Sequence, residues 1–240
     1  MPERLVERKV LGVMQPYLFP YAGYFQYILA CDRFILYDDV QFIMRGWINR
    51  NNLLLNGAAH LFTVPLLKAS PNKLINETEL SPDHSHKKLL ATLAQAYGKA
   101  PQWTKVKALL ASVLEAGDQT ISALAARSII GTCQYLGITT EIIPSSTTFN
   151  NRELGRNDRL RDLCRQTGSN RCIVPMGGST LYDKEEFRSC GVDLMYLTAA
   201  LNPYTQGHLK TFVPSLSILD MLMWCEREEA KSFLAGYSLT

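Results

Sequence analysis

The chain has 240 residues, 47% of them hydrophobic, and a formal net charge of +3 at pH 7. This is enough apolar material for one sizeable core, and the charge is too small to support nucleic-acid binding. No stretch is apolar for long enough to span a bilayer, and the charged start MPERLVERKV lacks the apolar region of a secretion signal, so we expect a cytoplasmic protein.

The first forty residues predict a strand, a turn, a helix and a second strand. Residues 9–14 (KVLGVM) and 33–37 (RFILY) have the composition of short buried strands. Between them, residues 23–31 (GYFQYILAC) place apolar side chains at helical spacing. This order favours two parallel strands joined by a right-handed crossover.

The middle of the chain is less regular. We expect a helix over 47–55 that ends at Asn56-Gly57, followed by strands over 60–66 and 74–80. Ser81-Pro82-Asp83 predicts the start of a helix that runs to about residue 97, and further helices are expected over 101–116 and 118–136. We interpret the segment 81–136 as a helical insert or cap within a single α/β domain that spans residues 1–240.

The remainder alternates strands with helices. Strands are expected over 139–143, 171–174 and 192–197, and helices over 157–166, 183–189 and from residue 215 to 224. The alternation predicts an α/β fold with a mostly parallel, Rossmann-like sheet flanked by helices. Because ligands of such sheets bind beyond the carboxyl ends of the strands, we expect a site at the turns that follow strands.

The first such turn is QPYLFPYAGY. The helix start near Gly23 would point free N–H groups at a phosphate or carboxylate. Tyr21-Ala22-Gly23-Tyr24 lies where nucleotidyltransferases and related HUP-like domains carry the motif His-x-Gly-His. Because a neutral tyrosine does not replace an imidazolium, this difference argues against adenylyl transfer. A tyrosine-rich packing turn is the alternative. The binding candidates here are Gln15, Tyr17, Tyr21, Gly23 and Tyr24.

The second turn is YDDVQFIMRGWINRN, residues 37–51. Asp38 and Asp39 follow a buried strand, where carboxylates are costly unless they bind something, so we interpret them as catalytic acid and base. They could instead orient sugar hydroxyls or hold a metal such as Mg²⁺, or simply cap a helix in a solvated loop. Arg45 and Arg50 would clamp a phosphate, and Trp47 would stack on a base or sugar. The other binding candidates here are Gln41, Asn49 and Asn51.

The third turn is PMGGSTLYDKEEF, residues 175–187. Gly177, Gly178 and Ser179 stand between a strand and a helix, as in a phosphate or carboxylate cradle, although a tight turn explains them nearly as well. Tyr182 is a further candidate, and Asp183 is expected to be an N-cap.

Three other features are less specific. Lys68 in LLKAS would neutralise an anionic group or be an ordinary surface lysine, and Tyr204 lies in the loop NPYTQGH. The six cysteines show no metal-type spacing and are expected to be reduced and partly buried, so no metal-ligand set is predicted from them.

Taken together, the motifs MQPYLFPYAGYFQYI, FILYDDVQFIMRGWINRN, FTVPLLKAS, GGSTLYDKEEF and PYTQ…FVPSLSILDMLMW resemble the WbqC-like family over nearly the whole chain. Members occur among genes for bacterial O-antigen and other surface polysaccharides and in natural-product clusters. The resemblance implies a transferase that modifies a nucleotide-linked sugar or a related small molecule, by acyl or aminoacyl transfer to an amino group. It brings no agreed catalytic residues and no identified cofactor.

An alternative hypothesis is a non-catalytic module that binds a nucleotide sugar, a tRNA or a partner enzyme. The absence of the histidines of the His-x-Gly-His pattern motivates it, whereas the low net charge gives tRNA no support. A homodimer contact through the apolar SLSILDMLMWC is left open, since such a segment is more often a core helix.

Overall fold

The computed structural model describes residues 9–82 and 86–240. The strands, in chain order, are β1 Val10–Met14, β2 Arg33–Leu36, β3 Arg50–Leu55, β4 Ala58–Thr63, β5 Glu141–Ile143, β6 Arg171–Pro175, β7 Asp193–Ala199 and β8 Tyr237–Leu239. The helices are α1 Ala22–Leu29, α2 His86–Tyr97, α3 Trp103–Leu114, α4 Ile121–Leu136, α5 Arg156–Thr167, α6 Lys184–Ser189, α7 Ile218–Trp224 and α8 Arg227–Leu234. Two short 3-10 segments are Ser146–Phe149 and Met176–Leu181.

The main sheet has the strand order β5-β2-β1-β6-β7-β8. The first five strands in this order are parallel, and β8 pairs antiparallel with β7. The chain builds outward from β1 through β2 to β5, then returns to the other side of β1 and continues through β6 and β7. The strand order therefore reverses between β1 and β6, and the predicted mostly parallel, Rossmann-like α/β sheet is confirmed.

Successive side chains of the central strands point alternately into two apolar layers, one on each face of the sheet. Phe34 and Leu36 of β2 face the layer that contains α1, α4, α7 and α8. Ile35 of the same strand faces the other layer, which α5 and α6 cover with Leu163 and Phe187. Because successive strand residues point to opposite faces, both faces of this strand are buried, which is why its sequence is a continuous apolar run.

Two predicted elements are wrong. Residues 47–55 are not a helix, because Asn56 and Gly57 both have positive φ, +52° and +78°, which is the geometry of a two-residue hairpin turn. They contribute β3, which pairs antiparallel with β4 to form a separate two-stranded sheet. The expected strand over 74–80 is also absent, and three isolated pairings form there instead, of Leu74 with Gln41, of Glu79 with Thr120 and of Leu80 with Leu66.

The helices of the middle region form where expected. The Thr120 hydroxyl accepts a hydrogen bond from the Ala123 N–H at the start of α4, and Gly137 ends the helix with φ +67°. Helices α2, α3 and α4 contact β3, α7 and α8. Asp83 of the expected cap lies outside the described residues, and the interpretation of this region as an insert or cap stays a prediction.

Across residues 9–82 and 86–240, no helix has both the length and the apolar character needed to cross a bilayer. All six cysteines are free, five of them buried, and Cys190 is exposed at the end of α6. The expectation that they are partly buried is confirmed, and their reduced state stays a prediction.

Candidate functional site at the carboxyl edge of the sheet

The turn after β1 is tied to three other elements through Phe19. This residue is fully buried and has a φ of +42°, which is strained for a bulky side chain. Its N–H donates to the Ser128 hydroxyl at 2.9 Å, and its carbonyl accepts from the Asn51 amide and the Ser217 hydroxyl, both at 2.8 Å. Helix α4, strand β3 and the N-cap of α7 therefore hold the strained turn in one conformation.

The tyrosines of this turn differ in availability. Tyr24 is buried, which raises its pKa well above the ordinary value, and its hydroxyl donates to the Gln15 carbonyl at 2.9 Å. Tyr21 is 36% exposed at the N-cap of α1, and its ring fills the space that a Cβ on Gly23 would need. Tyr17 is half-buried, with its ring centroid 5.7 Å from that of Tyr24. Tyr17 and Tyr21 are therefore the two that reach the surface.

Asp38, directly after β2, is 3% exposed and hydrogen-bonded on both carboxylate oxygens. Its Oδ2 accepts from the Ser122 hydroxyl of α4 at 2.8 Å. Its Oδ1 accepts from the Ser145 hydroxyl at 2.8 Å and the Ser146 N–H at 3.0 Å, both in the turn after β5. This carboxylate therefore joins the ends of β2 and β5 to α4.

Asp39 forms a buried ion pair with Arg159 of α5. The Nη2 atom of Arg159 lies 2.6 Å from both carboxylate oxygens, and the two side chains are only 6% and 4% exposed. The Arg159 Nε donates to Asn151 Oδ1 at 2.9 Å, and the Ser146 hydroxyl donates a short hydrogen bond to Asp39 Oδ1. The guanidinium is thus fixed in position beneath the edge of the sheet.

Tyr37 lies on that guanidinium, with the Arg159 Cζ 4.3 Å from the centroid of its ring. Burial raises the pKa of Tyr37 to about 12, and the charge of Arg159 is the largest influence that lowers it, against Asp39 and Tyr182, which raise it. Tyr37 is therefore a neutral phenol at pH 7, half-buried at the carboxyl end of β2.

Tyr182 belongs to the same edge. It follows the 3-10 segment after β6, its carbonyl accepts from the Tyr196 hydroxyl at 3.0 Å, and its ring packs edge-on against Phe187. Burial raises its pKa, and the charge of Arg156 at the start of α5 lowers it. Tyr37 and Tyr182, one beyond β2 and one beyond β6, thus lie on either side of the end of β1.

The glycines after β6 leave open space at this edge. A Cβ on Gly177 would meet nothing within 4 Å, and one on Gly178 would meet only the Tyr182 ring at 3.9 Å. Ser179 lies in the same segment, half-buried. The tight turn is therefore not forced by packing at Gly177, and its backbone is accessible to a ligand.

Four predicted residues lie at the surface of the loops beyond this edge. Arg45 and Lys68 are exposed, both with left-handed backbone, at φ +60° and +47°. Trp47 is about half exposed at 48%, and Gln41 is exposed with its backbone paired to Leu74. Their roles in substrate binding stay predictions.

Two more predicted residues make hydrogen bonds that shape the hairpin. The Asn49 amide donates to the Val64 carbonyl at 2.8 Å, and the Arg50 Nε donates to the Gly46 carbonyl at 2.9 Å. Asn51, whose amide bonds the Phe19 carbonyl of the first turn, connects the hairpin to the end of β1.

Tyr204 belongs to a buried network that sequence reasoning missed. Its hydroxyl donates to Asp220 Oδ2 at 2.7 Å, and the same carboxylate accepts from the Gln206 amide at 2.8 Å and the Tyr97 hydroxyl at 2.9 Å. Asp220 is fully buried, and burial raises its pKa. This network ties α2 and the 203–213 loop to α7.

The structure therefore brings together Tyr37, Asp38, Asp39, Tyr182 and the Gly177–Ser179 turn, around the ends of β1, β2 and β6. Arg159 was missed, although a signal for it exists. On α5 it shares a face with Leu163 and Thr167, at helical spacing, and a charged residue on an otherwise buried face needs a partner.

No group of three or more His, Cys, Asp or Glu side chains within the described ranges is arranged to hold a metal ion. The contacts of Asp38 and Asp39 are serine and arginine side chains instead, and a requirement for Mg²⁺ stays a prediction. A separate open cavity of about 550 Å³ lies between β4 and α2, lined by none of the predicted site residues.

Comparison with known proteins places the chain in a family. The model of the WbqC-like protein family matches residues 15–232. The chain belongs to the WbqC-like family. It is also similar to the uncharacterized protein Rv1507c of Mycobacterium tuberculosis, with 28% identity over 217 residues that cover 89% of this chain and 93% of that protein. No solved structure gives a significant match.

Proposed function

We propose that this member of the WbqC-like family is a transferase that modifies a nucleotide-linked sugar or a related small molecule, and that the substrate binds at the carboxyl edge between β1 and β6. One observation carries this proposal. The strand order reverses between β1 and β6, and ligands of open α/β sheets bind in the crevice outside such a reversal. Tyr37, Tyr182 and the open turn at Gly177 surround that position in this chain.

In this proposal the two tyrosine rings contact the base or sugar, and the accessible backbone of Gly177–Ser179 receives a phosphate. Arg156 is exposed and its charge acts on Tyr182, and we propose it as a cation for the same phosphate. Arg45 and Trp47 are proposed to contact the substrate from the neighbouring loop.

We assign different roles to Asp38 and Asp39, which the sequence alone does not distinguish. Both oxygens of Asp38 are occupied by serine hydroxyls and an N–H, which favours a positioning role. Asp39 accepts three hydrogen bonds, two from Arg159 and one from Ser146, against four at Asp38, so this carboxylate retains more capacity to accept a substrate proton or hydroxyl. We propose Asp39 as the base toward an amino or hydroxyl group of the acceptor, in an acyl or aminoacyl transfer.

A thermal-shift screen tests the binding step. The panel holds nucleotides, nucleotide sugars and acyl or aminoacyl donors, each with and without Mg²⁺. A ligand present at a hundred times its Kd stabilises the native state by about 2.7 kcal/mol, which raises the melting temperature measurably. The rise is expected to vanish in Tyr182→Ala and to persist in Tyr135→Phe, a partly buried tyrosine of α4 on the other side of the sheet. A ligand response unchanged in Tyr182→Ala contradicts this site.

A second candidate function is a nucleotide-sugar-binding module without catalysis. It is favoured by the engagement of both carboxylates within the protein, because such groups can be explained by positioning alone. Turnover separates the two functions. Product formed by the wild type and lost in Asp39→Asn that still folds and binds the donor supports the transferase, whereas tight binding without product for any donor supports the module.

A further inference from the structure

Arg159 is a buried cation with an unusual set of neighbours. Asp39 and Asn151 hold three of its hydrogen bonds, and its guanidinium faces the ring of Tyr37 at 4.3 Å. Tyr37 is the only partner in this set that is half-exposed, so the chain of contacts runs from the buried layer outward to one phenol at the edge of the sheet.

Stability alone is a weak explanation for this arrangement. Removing two charges from water costs several kcal/mol per ion, and well-packed apolar residues of similar volume often stabilise a fold as much or more. What a buried, hydrogen-bonded guanidinium provides, and apolar packing does not, is a fixed positive charge against one face of the Tyr37 ring.

We propose that Tyr37 donates a hydrogen bond to an anionic oxygen of the substrate, and that Arg159 is the positioning residue that orients Tyr37 and strengthens it as a donor. The anionic oxygen is that of a phosphate group of the nucleotide. This inference rests on the proposed function, since it assigns a role within the same site. No proton is transferred in this step, because the phenol keeps its hydrogen throughout.

The electrostatics agree with this role. A cation behind the ring stabilises the phenolate form, so it makes the O–H a stronger donor. The pKa of Tyr37, at about 12, leaves the proton on the oxygen at pH 7, so the group does not repel an anion. Tyr37 thus combines a retained hydrogen with a supporting charge, as a preorganised donor requires.

The affinities for UDP and for uridine test whether the Tyr37 hydroxyl donates a hydrogen bond to a phosphate. By titration calorimetry, Tyr37→Phe is expected to weaken binding of UDP about tenfold, as expected for a lost hydrogen bond to a charged group. Binding of uridine, which lacks the phosphates, is expected to be unchanged, and Tyr135→Phe is the matched control for removing a tyrosine hydroxyl. Equal UDP affinity in wild type and Tyr37→Phe overturns the inference while leaving the proposed function intact.

The pKa of the Tyr37 phenol distinguishes a positioning role of Arg159 from a purely structural one. With 3-fluorotyrosine at position 37, ¹⁹F NMR follows the phenol titration, which fluorine shifts to lower pH. Arg159→Met is expected to raise this pKa and to weaken UDP binding, and Arg159→Lys, which keeps the charge but not the planar fork, is expected to restore both in part.

Arg159→Lys keeps the test usable if Arg159→Met does not fold. An unchanged phenol pKa in a folded Arg159 variant overturns the positioning role. A ¹⁹F resonance that neither UDP nor pyrophosphate shifts overturns the donor role, even if uridine or a sugar binds elsewhere. Failure of the proposed function has a different signature, in which no nucleotide or nucleotide sugar raises the melting temperature at all.

Discussion

Breaking the buried ion pair of Asp39 and Arg159 is expected to lower the stability of the protein strongly. The two side chains are 6% and 4% exposed, so removing one partner leaves the other as a charge without its counterion inside the protein. Arg159→Met and Asp39→Asn are each expected to lower the free energy of unfolding by about 3–5 kcal/mol. The double variant, which leaves no lone charge, is expected to cost about 2 kcal/mol less than the sum of the singles.

Urea denaturation measures these free energies. With an m-value of about 3 kcal/mol/M, each single variant is expected to shift the midpoint by about 1 M or more. The exposed pair of Arg188 and Glu185 on α6, with side chains 69% and 75% exposed, supplies the control, and Arg188→Met is expected to cost under about 0.5 kcal/mol. Strictly additive effects in the cycle, or single costs as small as that of Arg188→Met, would show that neither buried charge depends on its partner.

Three further predictions concern the fold around the site. In Gly12→Ala, the added Cβ would lie 2.7 Å from Cys31 Sγ and Phe34 Cδ2, so we expect the free energy of unfolding, measured by urea denaturation, to fall by about 1–3 kcal/mol. Gly177→Ala is the control and is expected to be nearly neutral, because the space around Gly177 is open. Equal costs of the two substitutions would contradict the packing argument. Tyr97→Phe removes the partner of the Leu54 N–H and of Asp220 Oδ1, and a cost of about 1–3 kcal/mol is expected by the same assay. Because the pKa of Asp220 is raised in the folded state from 3.8, the folded state binds this proton more tightly than the unfolded chain does. Wild-type stability relative to Asp220→Asn is therefore expected to fall as pH rises through about 4 toward the raised pKa, and a difference that stays constant with pH would show that Asp220 does not carry the effect.

The elements that depend on residues close together in the chain were predicted from the sequence. The apolar runs at β1, β2 and β6, the end of α4 at Leu136, and the alternation of strands with helices were all predicted from spacing and from turn residues. The hairpin was mispredicted because the Asn56-Gly57 turn was read as the end of a helix, although a two-residue Asn-Gly turn is a strong hairpin signal.

The site was predicted only in part for a different reason. Asp38, Asp39, Gly177 and Tyr182 follow strands, so a parallel sheet gathers them at one edge whatever the remaining details. Arg159 lies 120 residues from Asp39, on a helix that precedes the next strand, and its partner is set by tertiary packing. Likewise, Asn49, Asn51 and Tyr204 carry polar groups that suit a ligand, but here they are hydrogen-bonded to the protein itself.

Hydrogen exchange, measured with and without the nucleotide sugar that gives the largest thermal shift, reports where the ligand binds. We expect slower exchange in residues 15–21, 37–41 and 176–182, at the carboxyl edge between β1 and β6. Protection confined to residues 60–65 and 86–92, around the cavity between β4 and α2, would contradict it and move the site to the hairpin.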